Sequence, residues 1–184
     1  MINESGISFF KRLTPLAGSQ FLGIFNDHAF KTIAVLAAVG LTESYSRDSA
    51  FLAILSMAYV LPFLIFSEAA GYLADRFPKR NVLVIAKFAE VCVMALGTLT
   101  LFYVKSWGIA PLVAVMFLMA AQSAFFSPSF NGIIPETFND REISHANGNI
   151  GMANFFAVII GVGAGFILKS LVDGMLLKKT GYSP

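Results

Sequence analysis

The sequence predicts an all-α integral membrane protein, a bundle of five spanning helices. Hydrophobic residues make up 57% of the 184-residue chain and charged residues only 13%. The 13 basic and 11 acidic side chains, net +2, are bunched into short segments. Between the bunches run apolar stretches that reach the roughly 20 residues a helix needs to cross a bilayer. With a mean hydropathy of +0.72, a soluble domain of this length has too little core to hide its apolar surface.

The same composition excludes other classes. A net charge of +2 distributed over loops offers no basic face to nucleic acid. One cysteine, Cys92, lies inside an apolar run, so there is no disulfide framework and no Cys/His metal spacing. Neither a cofactor nor a metal is expected. No His-x4-Asp box, nucleophile–base pair or phosphate-cradling glycine loop occurs, so no catalytic residue is assigned. The first apolar run is too long for a cleavable signal peptide and lacks a small-residue cleavage site.

Residues 1–15 read as a polar, amphipathic lead-in that contains Lys11 and Arg12. Spans follow at about 16–41, 50–74, 82–104, 110–134 and 147–172. Short connections join them, and 173–184 is a polar tail with Lys178 and Lys179, placed before a missing sixth helix. Basic residues in short loops favour the cytoplasmic side. Lys11, Arg12, Arg76, Lys79, Arg80 and Arg141 share one side, against Arg47 and Lys105 for the first four spans. The tail adds Lys169, Lys178 and Lys179 to the second group, but Lys169 can snorkel. The N-terminus is expected in the cytoplasm.

Charged and polar side chains inside a span are costly, so each needs a reason. In the first span Gln20, Gly23, Asp27, Lys31, Ala34 and Ala38 share one helical stripe, flanked by Asn26 and His28. Phe21, Phe25 and Leu36 occupy the other side, which reads as a lipid face. Two readings of the stripe are open. One is an Asp27–Lys31 pair that only neutralises itself. The other is a solvated functional cavity, favoured because a buried pair rarely adds stability and Asn26 and His28 stay unexplained.

The fourth span closes on Gln122, Ser123, Ser127, Pro128 and Asn131, a polar edge beside a proline that is either a gating flexure or a packing kink. Pro62 in the second span poses the same question. In the fifth span Asn147, Gly151, Asn154, Gly161 and Gly165 align. Gly161 and Gly165 read as GxxxG packing, and Asn154 as either cavity-lining or an interhelical hydrogen bond. Lys87 and Glu90 in the third span are spaced to pair, with Lys87 near the cytoplasmic end. Glu68 shares a face with Asp75 near the membrane surface.

Between the second and third spans runs Gly71-Tyr-Leu-Ala-Asp75-Arg76-Phe-Pro-Lys79-Arg80. Basic residues alone follow from sorting, but Gly71 permits close approach of helix ends and Asp75 can hold a neighbouring helix N-terminus or arginine. Such a contact can form in one state and break in another, as a latch does.

This loop resembles the signature G-x-L-A-D-R-x-G-R-R of the major facilitator superfamily, with Pro78 in place of glycine and Lys79 in place of arginine. The resemblance implies the N-terminal half of that fold. Gly71, Asp75, Arg76, Lys79 and Arg80 would then form the cytoplasmic gate, and helices 1, 2, 4 and 5 the cavity. Three further segments are similar to bacterial lysophospholipid transporters. They are Phe21 to Lys31, with His28 where asparagine is common, Ser127 to Glu136, and Ala146-Asn147-Gly148.

The expectation that follows is a bacterial inner-membrane protein moving lysophospholipid, such as lysophosphatidylethanolamine, by alternating access. Asn26, Asp27, His28, Lys31, Gln122, Asn131 and Asn154 are the expected substrate-binding residues. The expected partners are membrane lipid, the C-terminal transporter half, and an acyltransferase that is fused or associated. The alternatives are a proton-coupled drug or solute antiporter using Asp27, His28 or Glu90, and the membrane portion of a fused phospholipid acyltransferase.

Overall fold

Apolar runs closed by charged clusters satisfy their backbone groups internally as helices, the arrangement lipid demands. The computed structural model describes residues 4–39 and 45–180. The expected ends at 1–3, 40–44 and 181–184 lie outside the described residues, as do the side chains of Arg47, Lys105, Lys178 and Lys179. The helices are α1 (Glu4–Val39), α2 (Tyr45–Arg76), α3 (Lys79–Phe102), α4 (Val104–Trp107), α5 (Ala110–Thr137) and α6 (Asp140–Thr180). Five of them, all but the single turn α4, are long and apolar enough to cross a membrane. Among the described residues there is no strand.

The helices outrun the spans read from hydropathy. α1 begins in the lead-in at Glu4, and α6 continues from Asp140 to Thr180. Hydrophobicity marks only the length inside the bilayer, whereas the helices run on through polar flanks that carry Lys11, Arg12, Arg141 and Glu142. Stops are local. Gly108, at φ 73°, ends α4 in a conformation that side-chain-bearing residues rarely adopt. At the start of α6, Glu142 accepts from the Asn139 backbone N–H at 3.2 Å, satisfying a donor the helix leaves free. Pro62 and Pro128 sit inside continuous helices.

α1 packs mainly along α6, and α5 lies between α2 and α3. Two apolar clusters fill the interior at opposite ends. One gathers Phe30, Ala34, Leu55, Val93, Leu112 and Met116. The other gathers Leu13, Ala86, Phe126, Phe130, Phe138 and Ile150.

The side of α1 that reads as lipid-facing in the sequence is in fact covered by α6. A Cβ on Gly161 would stand 2.5 Å from the Phe25 carbonyl oxygen, and one on Gly165 would stand 2.7 Å from that of Ala29. The glycine stripe of α6 thus serves close packing, as GxxxG spacing permits.

At the end that holds Leu13, two ion pairs tie helices together. Arg12 donates to the Thr137 carbonyl at 2.6 Å and to both Glu142 carboxylate oxygens at 3.1 Å, with its guanidinium 5.2 Å from the Phe138 ring centre. Lys79 pairs with Glu136, joining the start of α3 to the end of α5. The Arg12 contacts are part-exposed and worth about 1 kcal/mol net. Arg12→Ala is expected to free the first turns of α1, read as faster protease cleavage near residue 12 with the rest of the helix unchanged.

Candidate functional site

The polar residues of α1, α3 and α5 meet in one layer. On each helix they fall between the members of the two apolar clusters: Asp27 between Leu13 and Phe30, Lys87 and Glu90 between Ala86 and Val93, Gln122 and Ser123 between Met119 and Phe126. Asp27 is 9% exposed and Glu90 8%. The stripe read on α1 therefore points into the bundle between α3 and α5.

Ser123 Oγ donates to Asp27 Oδ2 at 3.2 Å and receives the Gln122 amide at 3.0 Å. Asp27 Oδ1 and Gln122 Oε1 are buried without a hydrogen-bond partner. Two buried acceptors in one place are a standing demand for a donor or a cation. Lys31 does not close an ion pair with Asp27. Its ammonium sits 3.1 Å from the centre of the Tyr59 ring on α2, a cation–π contact. Lys87 and Glu90 do pair, at 2.7 Å, and Lys87 also lies 4.6 Å from the Phe126 ring centre.

Gly23 makes room for that second pair. A Cβ there would run into Lys87 Nζ and stand 3.5 and 3.6 Å from the Glu90 oxygens. Lys31, Lys87 and Glu90 are all within electrostatic reach of Asp27. The layer therefore holds two carboxylates and two ammonium groups, balanced in charge but cross-linked only in part.

The other residues expected from the sequence are dispersed. Asn26 is half-buried and makes no side-chain hydrogen bond among the described residues. His28 faces α6, its Cβ 3.1 Å from where a Gly161 side chain would begin. Asn154 carries a buried, unpartnered Oδ1 on α6, and Asn131 is exposed near the end of α5. Of the loop residues, Asp75, Arg76 and Arg80 project outward, Arg76 donating to the Tyr72 hydroxyl. Gly71 has nothing within 4 Å of where a side chain would begin. Lys79 alone among them pairs across helices, its stem lying on Gly132.

An open groove of about 320 Å³ runs between α1 and α6, lined by Leu13, Thr14, Ala17, Phe21, Asn149 and Ala153. It does not reach the polar layer. Tyr59, Ser123 and the inward Lys87–Glu90 pair were not among the substrate-binding residues read from sequence. Ser123 was visible as the neighbour of Gln122, and Lys87–Glu90 by spacing. Tyr59 had no signal, since an aromatic residue in a span reads equally as lipid contact.

Residues 20–172 match the family model of the Major Facilitator Superfamily. The chain is 29% identical over 160 residues to the lysophospholipid transporter LplT of Enterobacter sp. (strain 638), covering 86% of this chain and 36% of that protein. It is 30% identical over 152 residues to LplT of Serratia proteamaculans (strain 568), covering 82% and 34%. It is also 30% identical over 160 residues to LplT of Escherichia coli (strain K12 / DH10B), covering 86% and 36%. The chain thus spans about a third of the length of the curated relatives it matches. No solved structure gives a significant match.

Proposed function

The chain belongs to the major facilitator superfamily, and from that premise we propose that it forms part of a transporter that carries lysophospholipid across the bacterial inner membrane. The observation that carries this reading is the pair of opposite charges on α1. Asp27 keeps a free buried oxygen, and Lys31, one turn on, is held by an aromatic ring in place of a carboxylate. Both charges remain available to a ligand that carries both signs, such as a phosphoethanolamine head group. Similarity to proteins named lysophospholipid transporters points the same way.

In this reading the N-terminus is cytoplasmic, and a second transporter half faces this one and rocks about the layer. The loop from Gly71 to Arg80 latches the cytoplasmic side. Gln122 stands in the layer beside Asp27 through Ser123, and Asn26, His28, Asn131 and Asn154 contact the substrate elsewhere along its path. No residue of this chain is assigned a chemical step. An acyltransferase, fused or associated, re-acylates the imported lipid.

Uptake of labelled lysophosphatidylethanolamine into spheroplasts by the full-length protein tests the proposal. Lys31→Met keeps the apolar stem and removes the charge, so uptake is expected to be lost with membrane insertion intact. Wild-type uptake by that variant would remove Lys31 from the site. No uptake by the unmutated protein, demonstrably in the membrane, would sink the lysophospholipid assignment.

A further inference from the structure

Asp27 and Lys31 stand one helical turn apart with the acid first, the order in which a carboxylate and an ammonium pair best on a helix. They do not pair, and the reason lies on two other helices. Ser123 of α5 donates to Asp27 Oδ2 at 3.2 Å. The ring of Tyr59 on α2 takes the Lys31 ammonium, 3.1 Å from its centre. Among the described residues Lys31 makes no ion pair and no hydrogen bond. The two holders stand on helices that pack along each other, α2 and α5.

Tyr59 is well placed to fix a charge. Its ring centre lies 5.9 Å from that of Phe63, and the side chain packs against the apolar cluster of Phe30, Ala34, Leu55 and Ala58. A ring wedged in this way turns little, and apolar surroundings strengthen its attraction for a cation. The Tyr59 hydroxyl makes no hydrogen bond among the described residues. The ring face, not the phenol oxygen, is therefore the part in use.

We propose that Tyr59 is the positioning residue of the site, holding Lys31 away from Asp27 so that both charges stand open to a ligand of both signs. This rests on the head-group reading of the site given above. Without the ring, Lys31 closes onto Asp27, and a ligand must break that ion pair before it binds. A pair already held open carries no such cost. On binding, the head-group phosphate draws the ammonium off the ring. A neutral ring gives up a cation without leaving a bare charge behind, which a carboxylate partner does not.

The test uses the full-length protein. Tyr59→Leu, or Tyr59→Met if that variant does not insert, is expected to raise the KM for lysophosphatidylethanolamine roughly tenfold, the scale of one desolvated cation–π contact. Tyr59→Phe keeps the ring and should keep the uptake. With Asp27→Asn in place, Lys31 has no carboxylate to close onto. Tyr59→Leu should then cost little further uptake of an anionic lipid such as lysophosphatidylglycerol, but roughly tenfold when Asp27 is present. A merely structural role for Tyr59 would lower uptake alike in both backgrounds.

A second measurement needs no lipid substrate. Thermal unfolding in detergent is followed for Asp27→Asn, Lys31→Met and their combination, with Tyr59 present and with Tyr59→Leu. The shifts in midpoint should depart further from additivity once the ring is gone, because only then do the two charges meet. Unchanged uptake by Tyr59→Leu, equal losses for Tyr59→Leu and Tyr59→Phe, equal losses with and without Asp27, or a constant departure from additivity would each overturn the proposal. Because unfolding is read without lysophospholipid, failure of the substrate assignment leaves that outcome untouched. Normal uptake by the unmutated protein with a constant departure from additivity defeats this inference alone.

Discussion

Asp27→Asn is expected to cut lysophosphatidylethanolamine uptake by ten- to a hundredfold while the protein remains inserted and folded. The substitution preserves volume and still lets Ser123 donate to an oxygen, so the 3.2 Å contact from α5 survives. It removes one of two carboxylates from a layer whose ammonium groups, Lys31 and Lys87, both remain. The layer turns from neutral to net positive, and the ammonium of a zwitterionic head group loses its counter-charge. A hydrogen bond to a charged group contributes about 1.5–3 kcal/mol, and tenfold in affinity corresponds to about 1.4 kcal/mol. The expected loss follows from those two figures. An anionic lysophospholipid without an ammonium group should lose much less. An equal drop for both lipids would move Asp27 from head-group recognition to a general role in folding or opening. Unchanged uptake of both would remove it from the site.

Span count and helix type were legible in the sequence because lipid imposes a length and a polarity that few soluble segments imitate. The loop from Gly71 to Arg80 was legible because its glycine, aspartate and arginines stand at a spacing that sorting alone does not produce. Helix neighbours were much harder to read. In water, an apolar stripe means burial, but lipid tails are as apolar as leucine, so the same stripe in a membrane marks either lipid or another helix. Phe25 shows the ambiguity: its side of α1 reads as lipid-facing, yet its carbonyl lies against Gly161 of α6. The better clue was the glycine spacing on α6, because small residues in a span have little use other than close approach.

The polar layer was half legible for a related reason. Costly residues announce themselves within one helix, so Asp27, Lys31, Gln122 and Glu90 stood out. Partners across helices depend on how far the helices are shifted along one another, which local spacing does not encode. Asp27 and Lys31 sit four apart and invite pairing, but Ser123 and Tyr59 take those places. Lys87 and Glu90 pair as their spacing suggests. Their position against Gly23 emerges only once α1 and α3 are laid side by side.

Gly161→Ala and Gly165→Ala should each destabilise the protein by roughly 1–3 kcal/mol, the usual cost of overpacking a close contact. Gly163→Ala should be neutral or slightly stabilising. All three add the same methyl group to the same helix, and alanine favours helix over glycine by about 1 kcal/mol where space allows. Space is what differs. The new carbon would stand 2.5 Å from the Phe25 carbonyl oxygen at position 161, and 2.7 Å from both the Ala29 carbonyl oxygen and the Thr32 Cβ at position 165. Nothing lies within 4 Å at position 163. A flexible side-chain tip can rotate out of such a clash, but a helix carbonyl moves only with its helix. The strain is therefore relieved by displacing α1, which carries Asp27 and Lys31 on its other flank. Graded unfolding of the full-length protein in detergent should rank the three variants, with 163 at or above the unmutated protein and the other two below it. Uptake should fall in the same two. Equal stability for Gly161→Ala and Gly163→Ala would mean that α1 and α6 do not pack through these glycines. The placement of the polar layer between α1, α3 and α5 would then fall with that packing, since the backbone of α1 fixes how deep Asp27 sits.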